Sequence, residues 1–126
     1  MRCSLRAGAR AVAVLGVLAI AITPSYGAGV LAIGKCAAYG YAYDYPSISQ
    51  AESAARAKCT DGSCNRMVTA QKGCAAFAVD GHKPCGPNGY ANAARLGAAQ
   101  NAALKHCYKY GGKDCVIRAW ICDGKG

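Results

Sequence analysis

Residues 36–64 read CAAYGYAYDYPSISQAESAARAKCTDGSC, and residues 85–115 read CGPNGYANAARLGAAQNAALKHCYKYGGKDC. These two stretches share one plan: a Cys, a Gly-Tyr-Ala tripeptide, an Ala-rich segment ending in Cys, a polar loop and another Cys. A shift of about 49 residues brings the cysteines of the first stretch onto those of the second in the same order. A period of this size indicates a repeated supersecondary unit. We therefore expect two copies of one small unit.

Each copy has the pattern strand, strand, helix, strand. In the first copy, residues 38–45 alternate as a strand does, and Ser49 to Glu52 forms a capping box at the start of a helix that ends near Cys59. In the second, Gly97 and Gln100 replace those capping residues, which predicts a weaker helix start. The sequence predicts an α+β fold of two ββαβ repeats related by pseudo-twofold symmetry, with antiparallel sheet and two short helices. The repeats are expected at residues 29–74 and 75–126.

The cysteines indicate a disulfide framework. Of the nine, Cys3 lies near the N-terminus, and the other eight fall within about a hundred residues. That density is typical of an oxidising compartment, and no pair has the spacing of a zinc knuckle. Eight cysteines allow 105 pairings. Symmetry between the copies favours Cys59–Cys64, Cys107–Cys115, Cys36–Cys85 and Cys74–Cys122, with Cys74–Cys122 joining the two copies.

The N-terminus has the pattern of a secretory signal peptide. Arg2, Arg6 and Arg10 precede an apolar run over residues 11–22, and Pro24 and small residues follow it. The run of about twelve residues is short of the roughly twenty that cross a bilayer. We expect residues 1–27 to be removed, leaving a single domain over residues 28–126 without a transmembrane segment. The expected location is outside the cell or in the periplasm and envelope.

With these features together, the chain resembles an uncharacterised family of exported bacterial proteins, the domain of unknown function DUF4189. The resemblance rests on the Gly-Tyr strand, the Ala-rich helix ending in Cys, the polar loop, and a last strand carrying Ala119-Trp120-Ile121-Cys122. It covers about Gly29 to Asp123. The resemblance implies the fold and export, and it implies no particular activity.

A catalytic constellation is hard to assemble from this sequence. Asp44 and Asp80 lie near predicted strand ends, where an acid or base could be presented, and His82 lies in a Gly-rich turn. No nucleophile-elbow pattern accompanies them. A small secreted enzyme of hydrolase type, using these three residues, remains an alternative. No cofactor, metal or catalytic residue is predicted.

The tyrosines are the most unusual feature. Tyr39, Tyr41, Tyr43 and Tyr45 alternate, so a regular strand would place all four on one face. They either fill the core beneath the helix or form an exposed surface for a sugar, a peptide or a protein partner. The second copy keeps only Tyr90, the counterpart of Tyr41. This comparison assigns Tyr41 and Tyr90 to the scaffold and leaves Tyr43 and Tyr45 as candidate ligand-binding residues.

Positive charge is the other feature. Lys and Arg outnumber Asp and Glu by 15 to 6, and Lys105, Lys109 and Lys113 come closest to a cluster. They either keep a basic protein in solution or bind an anionic surface of the envelope or a host, as an effector does. No nucleic-acid motif is present. The sequence thus favours a secreted, non-catalytic binding module whose partner is a protein or an anionic surface.

Overall fold

Both halves of the chain fold into the same four elements. The computed structural model describes residues 27–123 together with residues 13, 16 and 17. The first unit contains β1 (Ala28–Ile33), β2 (Tyr39–Tyr45), α1 (Ile48–Ala57) and β3 (Arg66–Thr69). The second contains β4 (Gly73–Asp80), β5 (Asn88–Ala93), α2 (Leu96–Lys109) and β6 (Cys115–Asp123). The predicted α+β class with two ββαβ units is confirmed.

The strands form two antiparallel sheets with the orders β2-β1-β3 and β5-β4-β6. The first strand of each unit therefore lies in the middle of its sheet. Every residue of β1 and of β4 is buried. One face of each strand packs against the helix of its own unit, and the other face packs against the sheet of the other unit. This double burial explains why both strands are continuous apolar runs rather than alternating ones.

The core consists of three layers of side chains. The middle layer lies between the two sheets and includes Leu31, Ile33, Val68, Phe77 and Ile121. The two outer layers join α1 to the first sheet and α2 to the second, and their helix residues are mostly alanines. Small side chains let each helix approach its sheet closely.

The start of α1 differs from the expectation. The N-cap is Ser47, whose Oγ accepts a hydrogen bond from the backbone N–H of Gln50 at 3.2 Å, so the predicted Ser49–Glu52 cap is wrong. The earlier start brings Ile48 against the apolar cluster beneath α1, which favours it. In the second unit Arg95 is the N-cap and makes no side-chain capping bond. α2 therefore starts without the side-chain cap that α1 has, but the predicted capping positions Gly97 and Gln100 are wrong, because both lie inside the helix.

Four disulfides connect the eight described cysteines: Cys36–Cys85, Cys59–Cys64, Cys74–Cys122 and Cys107–Cys115. Two of them tie the end of a helix to the strand that follows. Cys36–Cys85 joins the two units. Cys74–Cys122 lies inside the second sheet, because β4 begins at Gly73 and pairs with β6. The prediction that Cys74–Cys122 joins the units is therefore wrong.

The predicted signal peptide, residues 1–27, lies almost wholly outside the described residues. Across the part of the chain that the structure describes, no helix is both long and apolar enough to cross a membrane.

Candidate functional site

A groove runs along one side of the molecule, between the outer strand β2 of the first sheet and the outer strand β6 of the second. Its volume is about 590 Å³. The residues that line it come from β2, β6 and one turn of α2, and the side chains used below are Tyr39, Tyr41, Tyr43, Arg118 and Trp120. The groove therefore joins residues about 75 positions apart in the sequence.

Three tyrosines of β2 form one wall of this groove. The rings of Tyr39, Tyr41 and Tyr43, called here the tyrosine row, are nearly parallel. Their centroids are 6.5 Å apart from Tyr39 to Tyr41 and 6.3 Å apart from Tyr41 to Tyr43. Tyr39 is half-buried against the middle core layer, whereas Tyr41 is 43% and Tyr43 54% exposed. The exposure of the rings thus increases along the row, from the partly buried Tyr39 to the exposed Tyr43.

Tyr45 does not belong to the row. Asp44 has a φ of +61°, and the pairing of β1 with β2 passes from Ala28–Tyr45 to Val30–Ala42, which is a β-bulge. The extra residue turns Tyr45 to the opposite face, where it packs against the cluster beneath α1. The expectation that all four tyrosines share one face is therefore wrong.

A buried carboxylate holds this bulge. The backbone N–H of Asp44 donates to Oδ2 of Asp123 at 3.3 Å, and Asp123 is only 3% exposed. The signal in the sequence was Asp44 itself, since Asp tolerates the left-handed conformation better than most residues. Its partner, 79 residues away, has no local signal.

Two cations flank the tyrosine row. The guanidinium of Arg118 lies 5.1 Å from the ring centroid of Tyr39, and its Nε donates to the carbonyl of Ala37 at 3.2 Å. Nζ of Lys58 lies 6.0 Å from the centroid of Tyr41. Among the described residues, no carboxylate lines the groove. The site is thus aromatic with positive charge at its Tyr39 end, and sequence reasoning missed the part played by Arg118 and Trp120.

The opposite side of the molecule provides an internal comparison. There β5 faces β3, and Tyr90 pairs with Phe77 as Tyr41 pairs with Leu31. The guanidinium of Arg66 lies 5.1 Å from the ring centroid of Tyr90, as Arg118 lies over Tyr39. An arginine–tyrosine contact thus occurs on both sides, although the two tyrosines are not equivalent, since Tyr90 is the counterpart of Tyr41 and not of Tyr39.

The two sides differ at the position of Tyr43. Its counterpart two residues after Tyr90 is Asn92, whose Nδ2 donates to the carbonyl of Thr69 at 3.2 Å. This hydrogen bond occupies the carbonyl of Thr69 on the second side, whereas Tyr43 presents an exposed ring on the first. The full tyrosine row is thus not required by the fold, because the second unit has the same fold without it.

The predicted lysine cluster lies elsewhere. Lys105 and Lys109 are exposed and one turn apart on α2, and Lys113 is exposed in the turn that follows. None of the three lines the groove. The structure therefore does not bring the lysine candidates together with Tyr43.

The predicted acid and base residues have structural partners. The carboxylate of Asp80, 4% exposed, accepts hydrogen bonds from the backbone N–H groups of Lys113 at 3.1 Å and His82 at 2.9 Å. These bonds hold the pKa of Asp80 below its usual value. Nε2 of His82 lies 3.3 Å from Oδ2 of Asp114, and both side chains are exposed. The arrangement anchors two turns to the end of β4 and resembles no nucleophile–base pair.

Replacement of Asp80 is expected to reduce stability at neutral pH. Because the pKa of Asp80 is lower in the folded protein, its contribution is present above the ordinary value of about 4 and is lost as the pH falls through the folded value. Asp80→Asn should therefore unfold at lower urea concentration at pH 7 and show a smaller change between pH 6 and pH 3 than the original protein. Asp114→Asn, on an exposed side chain, is the control. An unchanged acid dependence in Asp80→Asn contradicts this role.

One group of side chains, Cys59, Asp61 and Cys64, has atoms of the kind that bind metal ions, but its role is structural. Oδ1 of Asp61 lies close to the sulfurs of Cys59 and Cys64, but these cysteines are bonded to each other. Asp61 accepts hydrogen bonds from the hydroxyl of Ser63 at 2.5 Å and from its backbone N–H at 2.8 Å, and both lower its pKa. The group stabilises the turn between α1 and β3.

Comparison with known proteins supports the fold. The NMR structure of Rv1813c from Mycobacterium tuberculosis is similar over 97% of each chain, with a TM-score of 0.58 and 24% sequence identity. At that identity the likeness concerns the fold alone. The comparison with curated proteins finds no match. The family model described as "Domain of unknown function (DUF4189)" matches residues 26–122, which confirms the resemblance seen in the sequence. The chain belongs to the DUF4189 family.

Proposed function

We propose that this chain is an exported, non-catalytic binding domain that holds its ligand in the groove between β2 and β6. The observation that carries the proposal is the difference between the two sides of the molecule. The same position of the scaffold holds Asn92, bonded to the carbonyl of Thr69, on one side and the exposed Tyr43 on the other. A feature that the fold does not need, on an accessible surface, is best explained by binding.

The chemistry of the groove supports a binding role. Tyrosine and tryptophan are enriched at binding surfaces, because they give a large contact area and a polar group at low cost in conformational entropy. Tyr41, Tyr43 and Trp120 are each 43–54% exposed, and all three line one concave surface. Arg118 and Lys58 add positive charge, which favours neutral or anionic ligands.

Export is part of the proposal. Eight cysteines joined in four disulfides are typical of proteins that fold in an oxidising compartment. The signal-like residues 1–27 agree with this location. A binding domain outside the cytoplasm also explains a structure whose titratable candidates are engaged in turns rather than presented to a substrate.

The groove can be tested with the chain's only tryptophan, Trp120, as the reporter. The oxidised domain is titrated with peptides selected from a random display library and with a panel of soluble neutral and anionic glycan oligomers. We expect at least one probe to change the Trp120 fluorescence. Tyr43→Ala should weaken that binding at least about tenfold, since central aromatic side chains dominate the free energy of binding.

Tyr110→Ala is the matched control, because Tyr110 is 65% exposed and lies outside the groove. It should bind as the original protein does. Binding that survives Tyr43→Ala but is lost when Lys105, Lys109 and Lys113 are changed to Ala would contradict the groove and favour the anionic-surface alternative. Failure of every probe in both sets would also count against the proposal.

A further inference from the structure

The groove contains an open strand edge. Within the described residues β6 pairs with β4 on one side only, and residues 117–122 of β6 line the groove on the other. Cys74 and Cys122 lie opposite each other with their Cα atoms 4.0 Å apart. This spacing is that of a non-hydrogen-bonded antiparallel pair, about 4.5 Å, rather than a hydrogen-bonded pair, about 5.5 Å. Cys122, and Trp120 two residues before it, therefore direct their backbone N–H and C=O groups away from β4, into the groove.

The second side of the molecule supports this direction. Thr69 pairs with Val30 as Trp120 pairs with Ala76, so the two residues occupy equivalent positions. The carbonyl of Thr69 points outward, because it accepts the hydrogen bond from Asn92. On the first side Tyr43 replaces Asn92 and has no amide to donate. The carbonyl of Thr69 is thus bonded to Asn92, whereas Tyr43 offers no such donor at the equivalent position, Trp120.

The tyrosine row has the repeat of an extended peptide. Two residues of a β-strand advance about 6.4–6.8 Å, and the ring centroids of the row are 6.3 and 6.5 Å apart. A strand lying along β6 would direct every second side chain toward the first sheet, at the same spacing as the rings. β6 has a bulge at Arg118, where its pairing with β4 passes from Phe77–Ala119 to Ala78–Ile117. Over residues 119–122, backbone hydrogen bonds and side-chain contacts would then be in register along the groove.

From these observations we infer that the ligand is an extended segment of another protein, bound as an added strand on β6 with alternate side chains on the tyrosine row. Strand addition takes its affinity from backbone hydrogen bonds and its specificity from alternate side chains. Arg118 places positive charge over Tyr39, at one end of the row, and Lys58 places it over Tyr41, whereas the exposed Asp44 follows Tyr43 at the other end. The segment is thus expected to carry its acidic residues toward the Tyr39 end. This inference rests on the proposed function and specifies its ligand.

The backbone of the ligand gives the decisive test. A peptide selected from the random library is resynthesised with a single N-methyl group at each amide in turn, and its affinity is measured by Trp120 fluorescence. Strand addition uses every second amide of the peptide. Methylation should therefore weaken binding at least tenfold at alternate positions and have little effect at those between. A flat profile, or a uniform loss, would overturn the inference.

A substitution in the protein gives a second test. Tyr43→Asn introduces the residue that bonds to the strand edge on the other side. It should therefore weaken peptide binding more than Tyr43→Ala does, while Tyr43→Phe keeps the ring and should bind nearly normally. Thermal unfolding of Tyr43→Asn should remain cooperative, because the second unit carries Asn at the equivalent position. Equal affinities for the Asn and Ala variants would contradict an open edge at Trp120.

The outcomes separate this inference from the proposed function. If a glycan binds, its binding is lost in Tyr43→Ala and no peptide binds in this way, strand addition is overturned and the groove remains the binding site. Self-association in sedimentation velocity that is lost in Tyr43→Asn would instead identify a second copy of the chain as the occupant, and would also overturn the inference. Peptide binding that is unaffected by Tyr43→Ala would contradict both the strand-addition inference and the proposed function.

Discussion

Reduction of the four disulfides is expected to unfold the domain at 25 °C. Loops of 48 and 49 residues each correspond to about 4 kcal/mol of chain entropy in the unfolded state, and the short loops of 5 and 8 residues to about 2 kcal/mol each. The total stability of a small domain is about 5–15 kcal/mol. The core that would remain has Phe77 as its largest fully buried side chain and is otherwise rich in alanine. Circular dichroism with and without reductant measures the loss.

Two of the bonds form a matched pair that separates the entropic effect from packing. Cys36–Cys85 and Cys74–Cys122 close loops of nearly equal length, 49 and 48 residues. Cys36 and Cys85 are exposed, whereas Cys74 is fully buried between β4 and α2. The double change Cys74→Ala with Cys122→Ala should therefore lower the free energy of unfolding more than Cys36→Ala with Cys85→Ala. A reduced protein that keeps its melting temperature would contradict the whole account.

Gly40→Ala and Gly89→Ala are expected to be the most destabilising single substitutions. A Cβ on Gly40 would lie 2.2 Å from the carbonyl oxygen of Ala55, and a Cβ on Gly89 would lie 2.2 Å from that of Ala103. Both obstacles are helix backbone, so the helix would have to move away from its sheet. Overpacking costs about 1–3 kcal/mol and occasionally more, and we expect the upper end here because the obstacle is backbone. Urea unfolding of the two variants should give similar losses, because the two units make the same contact.

Gly97→Ala is the control for these two substitutions. Gly97 lies in the first turn of α2, and nothing lies within 4 Å of a Cβ added there. Alanine should therefore raise the free energy of unfolding slightly, by up to about 0.5–1 kcal/mol, through its better helix propensity. Gly40→Ala or Gly89→Ala variants as stable as Gly97→Ala would show that the helices do not need their close approach to the sheets.

Much of the fold could be read locally. The alternation over residues 38–45, the Ala-rich helices and the matching order of the cysteines each depend on neighbours a few residues apart, or on a comparison of the two units. These patterns predicted the element order and the α+β class. The element boundaries depend on tertiary packing as well: Ser47 and not Ser49 caps α1, and this start packs Ile48 against the apolar cluster beneath the helix. Cys74 is likewise a residue of β4, within the second sheet.

The candidate site was predictable only in part, and Tyr43 and Tyr45 show why. Alternation placed both on one face, but the bulge at Asp44 depends on a hydrogen bond to Asp123 across 79 residues, and that contact turns Tyr45 inward.

The sequence alone determined two copies of one unit, and a strand of tyrosines that only one copy has. The tertiary structure alone decided that β2 and β6 face each other across a groove, with Arg118 over Tyr39 and Trp120 beside an open strand edge. Patterns within a segment report which face of an element is apolar, whereas the meeting of two sheets depends on how their buried faces pack.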